Sequence, residues 1–460
     1  MTAGPAPLVV IDAVGLTPSM LGPDTPHLSA LALDGFRAQL DPILPAVTCS
    51  AQATLLTGAL PREHGVVGNG WYFRDLAEVL FWRQSNHLVG GDKLWDAARR
   101  ARPDLRTAVL LWWFNMYSSA ELSVTVRPIY PADGRKIPAL YSHPSGLAAS
   151  LEAELGRFPF FQFWGPSAGL PSSDWIARAA LELFRRERPG LTLVYLPHLD
   201  YDLQRFGPAH PRARQAVREL DGVAGLLIDG VRAEGAEVVV LSEYGIEEAS
   251  GAVHLNRALR QHGLLAVRET LGWELLDAGA SRAFAVADHQ IAHVYVRDPA
   301  DLARVAQIVR AQRGVARLFD AEGKAELGLD HPRSGELVAV AEPGHWFTYY
   351  YWLDDARAPD FARTVDIHRK PGYDPVELFL DPDRPLVKGR VLVNLARKKA
   401  GMRYLMDVIP LRADLVKGTH GRADVAPEHG PLLISSSRKG ARDRLAMTEV
   451  KDFLLGLLLD

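Results

Sequence analysis

The chain has few of the features that staple or anchor a small protein. Cys49 is its only cysteine, which excludes an intrachain disulfide framework and any zinc cluster built from thiolates. Placed between Thr48 and Ser50, it reads as a small buried packing residue, with a reactive thiol as the alternative. No apolar run approaches the ~18 residues that a membrane helix requires, so neither a spanning segment nor a membrane partner is expected. Cations are not in excess: 52 Lys and Arg against 55 Asp and Glu give a net charge of −3. That balance lacks the electrostatic footprint of a nucleic-acid-binding surface. Residues 1–7, Met-Thr-Ala-Gly-Pro-Ala-Pro, carry no basic side chain, which argues against a signal peptide and predicts a cytoplasmic protein. Low-complexity tracts and internal repeats are also missing, so a solenoid is excluded.

What is present is an ordinary globular composition, 48% hydrophobic and 23% charged over 460 residues. A chain of that length exceeds what one hydrophobic core usually supports and should form more than one compact unit. Apolar runs and helical periodicities alternate. Residues 8–11 (Leu-Val-Val-Ile), 107–114, 191–196 and 237–241 read as buried strands. Residues 92–100 read as a helix, Ser172-Ser173-Asp174 caps another through Arg186, and Val217, Leu220, Val223, Leu227 and Val231 have helical spacing. This alternation predicts a doubly wound α/β sheet with helices on both faces. Residues 443–459 read as a final amphipathic helix packed on that core.

The chemistry gathers at the ends of these strands. The first strand runs into Asp12 and then Gly15, which places a carboxylate at its C-terminal edge. A little over thirty residues later, Pro45-Ala46-Val47-Thr48-Cys49-Ser50 brings a hydroxyl to the start of a helix, where free N–H groups and the helix dipole attract anions. Pro61 to Trp71 then forms a turn-rich loop that carries Asn69. Taken singly, Thr48 is equally an N-cap and Asn69 a turn residue.

In register, these segments resemble the nucleotide pyrophosphatase/phosphodiesterase branch of the alkaline phosphatase superfamily. The resemblance implies that Asp12 binds metal, that Thr48 is both nucleophile and metal ligand, and that Asn69 holds the phosphoryl oxygens. It extends to Asp200 in Pro197-His198-Leu199-Asp200-Tyr201-Asp202-Leu203-Gln204, to Ser242-Glu243-Tyr244-Gly245, and to Gly418-Thr419-His420-Gly421. Here the sequence departs from the family pattern, since Gln204 stands for a histidine and Glu243-Tyr244 for Asp-His. The implied metal set is therefore Asp12, Thr48, Asp200, Glu243 and His420, with Gln204 a weak ligand and Tyr244 a neighbour that shapes the pocket. An oxygen-rich set of this kind suits one or two divalent ions, Zn2+ or Mn2+, with Mg2+ as an alternative. His289, His293 and His368 are candidates for extra ligands or substrate contacts, or for hydrogen-bonded structural roles. Asp202 reads as a solvated loop carboxylate.

The resemblance also implies the architecture: an alkaline-phosphatase-like α/β/α core from residues 1–252 and 411–460, with residues 253–410 as an inserted smaller α+β lid. Within the insert a small βαβ unit is expected from residues 292–319, followed by a strand over 335–341. The aromatic run Trp346 to Trp352 would stack a flat group or pack a core. Arg369 and Lys370, before a Pro-Gly turn, would meet a phosphate or carboxylate or sit as a solvated basic turn. The function that follows is metal-dependent hydrolysis of a phosphodiester, pyrophosphate or phosphonate bond in a small phosphorylated molecule, through a phospho-threonine. The alternatives are a non-hydrolytic phosphate-binding protein with a degenerate metal site, or a phosphotransferase or phosphomutase.

Overall fold

Strand Leu8–Ala13 is buried at every position, and its side chains alternate between two apolar clusters. Val9 and Ile11 enter one cluster with helices Pro26–Asp34, Leu170–Glu187 and Pro211–Arg232. Leu8 and Val10 enter the other with helices Thr48–Thr57, Leu94–Ala101 and Val450–Leu459. A strand with both faces covered must be apolar throughout, and burying each aliphatic side chain contributes about 1.5–3 kcal/mol. The computed structural model, which describes residues 6–133 and 135–459, is thus an α/β/α sandwich around a nine-stranded sheet.

Across that sheet the strands run Arg444–Ala446, Phe36–Asp41, Leu432–Ser435, Glu237–Leu241, Leu8–Ala13, Leu191–Leu196, Thr107–Leu110, Leu122–Val126 and Leu140–His143. The five from Glu237–Leu241 to Leu122–Val126 are mutually parallel, whereas Leu432–Ser435 and Leu140–His143 run antiparallel to their neighbours. Asp12 lies opposite Tyr195 on one side and Leu241 on the other. The loops after three central strands therefore open at one edge, where an α/β sheet forms its crevice.

A second sheet, of four strands, is made wholly from residues 283–341, in the order Ala283–Asp288, Ile291–Val296, Leu337–Ala341, Val315–Phe319. Helix Leu302–Arg310 links Ile291–Val296 to Val315–Phe319, and both are antiparallel to the strand between them. The expected βαβ crossover is present, with Leu337–Ala341 inserted into it. The aromatic run is core: Trp346, Phe347, Tyr349, Tyr350, Tyr351 and Trp352 are all buried.

Three boundaries depart from the sequence reading. The strand expected over 107–114 ends at Leu110, because Leu111 and Phe114 take the left-handed conformation at φ 59° each. The helix expected to be capped at Ser172 begins at Leu170 instead. There the Ser172 hydroxyl turns back to donate to the Gly169 carbonyl at 2.9 Å. The final helix begins at Val450, because Arg444–Ala446 is drawn into the sheet as an edge strand beside Phe36–Asp41.

Candidate active site

Helix Thr48–Thr57 is buried along its whole length, with Val47 rather than Thr48 as its N-cap. The first turn is closed from outside: the Cys49 N–H donates to Asn69 Oδ1 at 2.9 Å, which satisfies one of the donors that a helix start leaves open. Asn69 is held in turn by Asp288, which accepts from the Asn69 backbone N–H at 2.7 Å and from Nδ2 at 3.0 Å. With Oδ1 spent on Cys49 and one amide hydrogen on Asp288, Asn69 keeps a single hydrogen for a ligand. Cys49 itself is fully buried beside this contact, in line with a packing role.

The Thr48 hydroxyl lies 3.0 Å from the Tyr244 phenol, which donates to Asp200 Oδ1 at 3.3 Å. The Thr48 hydroxyl also bonds the Glu243 carboxyl, so Thr48, Tyr244, Asp200 and Glu243 form one hydrogen-bonded group. Gln204, one helical turn after Asp200, donates to Asp200 Oδ2 at 2.6 Å and accepts from the Tyr373 hydroxyl at 2.9 Å. The Tyr244 ring stacks on His420 at 3.6 Å, and His420 meets His289, whose ring stacks on Tyr373. His420 Nδ1 is tied to the Ala46 carbonyl at 2.8 Å. Its Nε2, like that of His289, is buried with no hydrogen bond.

Asp12 and Glu243 form the other half of the site. Their carboxyls touch each other, and both accept from Gln52 Nε2, at 2.9 Å and 2.7 Å. Gln52 Oε1 accepts the Trp113 N–H at 2.8 Å, a group freed from the sheet by the left-handed turn at Leu111. Burial pushes the Asp12 carboxyl up to about 7, against the pull of its bonds to Glu243 and Gln52. Burial raises Glu243 further, and the Asp12 charge adds to the effect. Two touching carboxylates cannot both ionise there, so the pair retains a proton. Burial also lifts Asp200 to about 7 and Asp288 to about 6, and it keeps His289 and His420 neutral.

The sequence-predicted residues Asp12, Thr48, Asn69, Asp200, Gln204, Glu243, Tyr244, His289 and His420 thus converge. Among the described residues, however, no three His, Cys, Asp or Glu side chains are arranged as a ligand shell. Both halves of the expected metal set keep buried donor atoms without a hydrogen bond. His420 Nε2 is unpartnered and lies 3.8 Å from Asp200 Oδ1, so an imidazole nitrogen and a carboxylate oxygen face one point, and these donor types fit a divalent ion. In the Asp12 and Glu243 half, Gln52 bonds one oxygen of each carboxyl, while Asp12 Oδ1 and Glu243 Oε2 are buried with no hydrogen bond, so two carboxylate oxygens remain there as donors that fit a divalent ion.

Two other expectations, for Lys370 and Asp202, are revised, while Arg369 and His293 take the surface and structural alternatives. Lys370 is buried and paired with Asp374 and Glu377, each at 2.7 Å, so it meets carboxylates of its own chain and not a phosphate. Arg369 pairs with Asp360 at 2.9 Å on the surface. His293 bridges the Val67 carbonyl and the Gly335 N–H, a structural role inside the smaller sheet. Asp202 is buried against Arg205 and Arg212 and is not a solvated carboxylate.

Thr48, Asp200, Tyr244 and His289 open onto a cavity of about 570 Å³. Its walls include Trp82, Trp113, Phe160 and Trp164, with Arg127, Lys136 and His368 further out. Sequence reasoning missed Gln52, Asp288 and Tyr373. Gln52 carried a signal, since four residues after Thr48 is the same helix face.

The profile described as "Type I phosphodiesterase / nucleotide pyrophosphatase" matches residues 8–374. An uncharacterised pyrophosphatase/phosphodiesterase of Schizosaccharomyces pombe is 25% identical over 236 residues, 49% of this chain and 41% of that protein. Human ectonucleotide pyrophosphatase/phosphodiesterase family member 1 is 21% identical over 272 residues, 52% of this chain and 26% of that protein. The match thus spans less than half the length of either relative.

Two solved structures share the fold. Phosphonoacetate hydrolase from Sinorhizobium meliloti, in complex with phosphonoformate, superposes with a TM-score of 0.62 at 14% identity, covering 99% of this chain and 96% of that one. An inactive variant of murine ectonucleotide pyrophosphatase/phosphodiesterase 5, in complex with AMP, gives 0.60 at 15%, covering 98% and 95%. No helix among the described residues is long and apolar enough to cross a membrane. With that family profile matched over residues 8–374, the chain belongs to the type I phosphodiesterase/nucleotide pyrophosphatase family.

Proposed function

We propose that the chain hydrolyses a phosphodiester, pyrophosphate or phosphonate bond in a small organic molecule, with Thr48 as the group that receives the phosphoryl. The observation that carries this reading is the chain from Thr48 through the Tyr244 phenol to Asp200, placed at a helix start on the floor of an aromatic cavity. Thr48 Oγ1 attacks phosphorus while its proton moves to the phenol oxygen and the phenol's proton to Asp200. The bond to the leaving group breaks, and water later releases the phosphoryl and restores the hydroxyl. The remaining Asn69 hydrogen and the helix-start amides face the growing negative charge.

The Trp82, Trp113 and Trp164 walls suit a leaving group with a flat, apolar body, and Arg127 and Lys136 suit further negative charge on it. Asp200 and His420 in one half, and Asp12 and Glu243 in the other, are the residues that would hold a divalent ion, Zn2+ or Mn2+ ahead of Mg2+, and such an ion supplies Lewis-acid stabilisation of phosphoryl oxygens. We take residues 253–410 as the insert that covers the site.

A second reading, a non-hydrolytic phosphate-binding protein, is favoured by one observation: among the described residues no three His, Cys, Asp or Glu side chains are arranged as a ligand shell. Turnover of a panel containing a bis-aryl phosphodiester, a dinucleotide pyrophosphate and an aryl phosphonate separates the two. Release of product from at least one, abolished in Thr48→Ala, supports hydrolysis. Tight binding of the panel without turnover supports the second reading.

A further inference from the structure

Helix Val387–Lys399 presents apolar side chains to solvent. Only Asn394 is buried within it, and Asn394 Nδ2 donates to the Leu405 carbonyl at 2.8 Å. Val387 and Val391 turn the same way and pack beside Val376 and Val408, which fixes the inward side of the helix by the spacing of its turns. Leu392, Val393 and Ala396 fall on the opposite side. Leu392 and Val393 are 68% and 53% exposed, and Leu386, Met402 and Leu405 continue the apolar surface at the two ends. Neighbouring exposed apolar side chains of this kind mark a surface that meets a partner.

The charge around that face is of one sign. Residues 384–406 carry seven Lys and Arg and no Asp or Glu. Arg384 and Arg390 pair with Asp407, whereas Lys388, Arg397, Lys398, Lys399 and Arg403 form no ion pair among the described residues. Lys388 lies one turn before Leu392, Lys399 one turn after Ala396, and Arg397 one turn after Val393, so cations rim the apolar face on both edges. That rim decides between occupants. In a symmetric contact with a second copy the cations would face themselves, and a nucleic acid would leave Leu392 and Val393 against phosphates. Anionic phospholipid accommodates both, with the apolar side chains at the acyl boundary and the cations at the headgroup phosphates.

We propose that this face of helix Val387–Lys399 is a docking surface for anionic phospholipid. The expectation of no membrane partner rests on the lack of a spanning run, and a helix lying in the interface needs none. The same helix walls the cavity. Leu395 and Lys398 line it, as does Phe161, which is 65% exposed and has Lys398 Nζ 6.0 Å from its ring centre. Docking therefore sets the mouth of the cavity against the lipid surface.

Retention on vesicles tests the proposal and needs no turnover, so its outcome is separate from that of the hydrolysis reading. The full chain is sedimented with phosphatidylcholine vesicles, with and without phosphatidylserine, at low and at high salt, beside the double variants Leu392→Ser/Val393→Ser and Lys388→Glu/Lys399→Glu. None of these four residues lines the cavity, and thermal melts check that each variant is folded. Wild type is expected to bind the vesicles that contain phosphatidylserine, to release them at high salt as the charges are screened, and to leave phosphatidylcholine alone unbound. Each double variant is expected to bind about tenfold more weakly, or weaker still. Equal retention on neutral vesicles overturns the proposal, as does no retention on either kind, or a folded double variant that binds as wild type does. A dimer in solution that Leu392→Ser/Val393→Ser dissociates also overturns it, by assigning the face to a second copy. Should a variant fail to fold, the lipid and salt dependence of wild type decides alone.

Discussion

Asn69 and Asp288 lie 219 residues apart in the chain and meet in two hydrogen bonds, from the Asn69 backbone N–H at 2.7 Å and from its side-chain amide at 3.0 Å. Asp288 ends the first strand of the smaller sheet, while Asn69 caps the helix that begins with Thr48. The smaller sheet thereby sets the position of the helix that begins with Thr48. Asp288→Asn replaces one acceptor oxygen by a donor and leaves one Asn69 hydrogen facing an N–H group. That loss should cost about 1–3 kcal/mol of stability and, by loosening Asn69, lower kcat/KM by about tenfold or more. Denaturant melts and steady-state kinetics check both.

Tyr244→Phe removes the link between Thr48 and Asp200 while keeping the ring that stacks on His420. Loss of a positioned proton acceptor lowers rates by about 10²–10⁴-fold. The account expects that fall in kcat, little change in KM and unchanged metal content. A variant with raised KM and wild-type kcat would show that the phenol only shapes the pocket.

Acid stability depends partly on His64, which accepts the Val66 N–H and bonds Thr54. Burial, reinforced by the charges of His331 and Arg333, pushes its pKa down to about 3, from the ordinary value near 6.5. Between those values the unfolded chain binds a proton that the folded chain does not. The His64 contribution to stability is therefore complete above about pH 6.5 and is lost as pH falls toward 3. Asp12, Asp200 and Asp288, with raised pKa values, act in the opposite sense, so the useful quantity is a difference. The stability advantage of wild type over His64→Gln should shrink between pH 7.5 and 4.5 in chemical denaturation. A constant difference would refute the assignment.

The central sheet was legible because its strands are buried on both faces: residues 191–196 and 237–241 match the observed strands at both ends. The errors fall where another force outweighs apolar pattern. Residues 111–114 are as apolar as the strand before them, yet they leave the sheet to form the turn that presents the Trp113 N–H to Gln52. Lys370 looked like an anion site, but Asp374 and Glu377, four and seven residues later, fold back onto it. The positions of Asp12, Thr48, Asp200, Glu243 and His420 were readable because each follows a strand or opens a helix in a recognisable motif. The bonding of Gln52 was not, since it depends on Trp113 and Glu243, brought together only by the fold.

Trapping of the covalent intermediate tests whether Thr48 receives the phosphoryl group. Bis(para-nitrophenyl) phosphate, a diester with flat apolar leaving groups suited to the aromatic cavity, is mixed with the chain, quenched in acid and read by peptide mass spectrometry. The account predicts a nitrophenyl-phosphoryl adduct on the peptide containing Thr48, a burst of nitrophenol matching it in amount, and neither in a folded Thr48→Ala chain. Nitrophenol release within a few-fold of wild type by Thr48→Ala, with no adduct on the wild-type peptide, would contradict it.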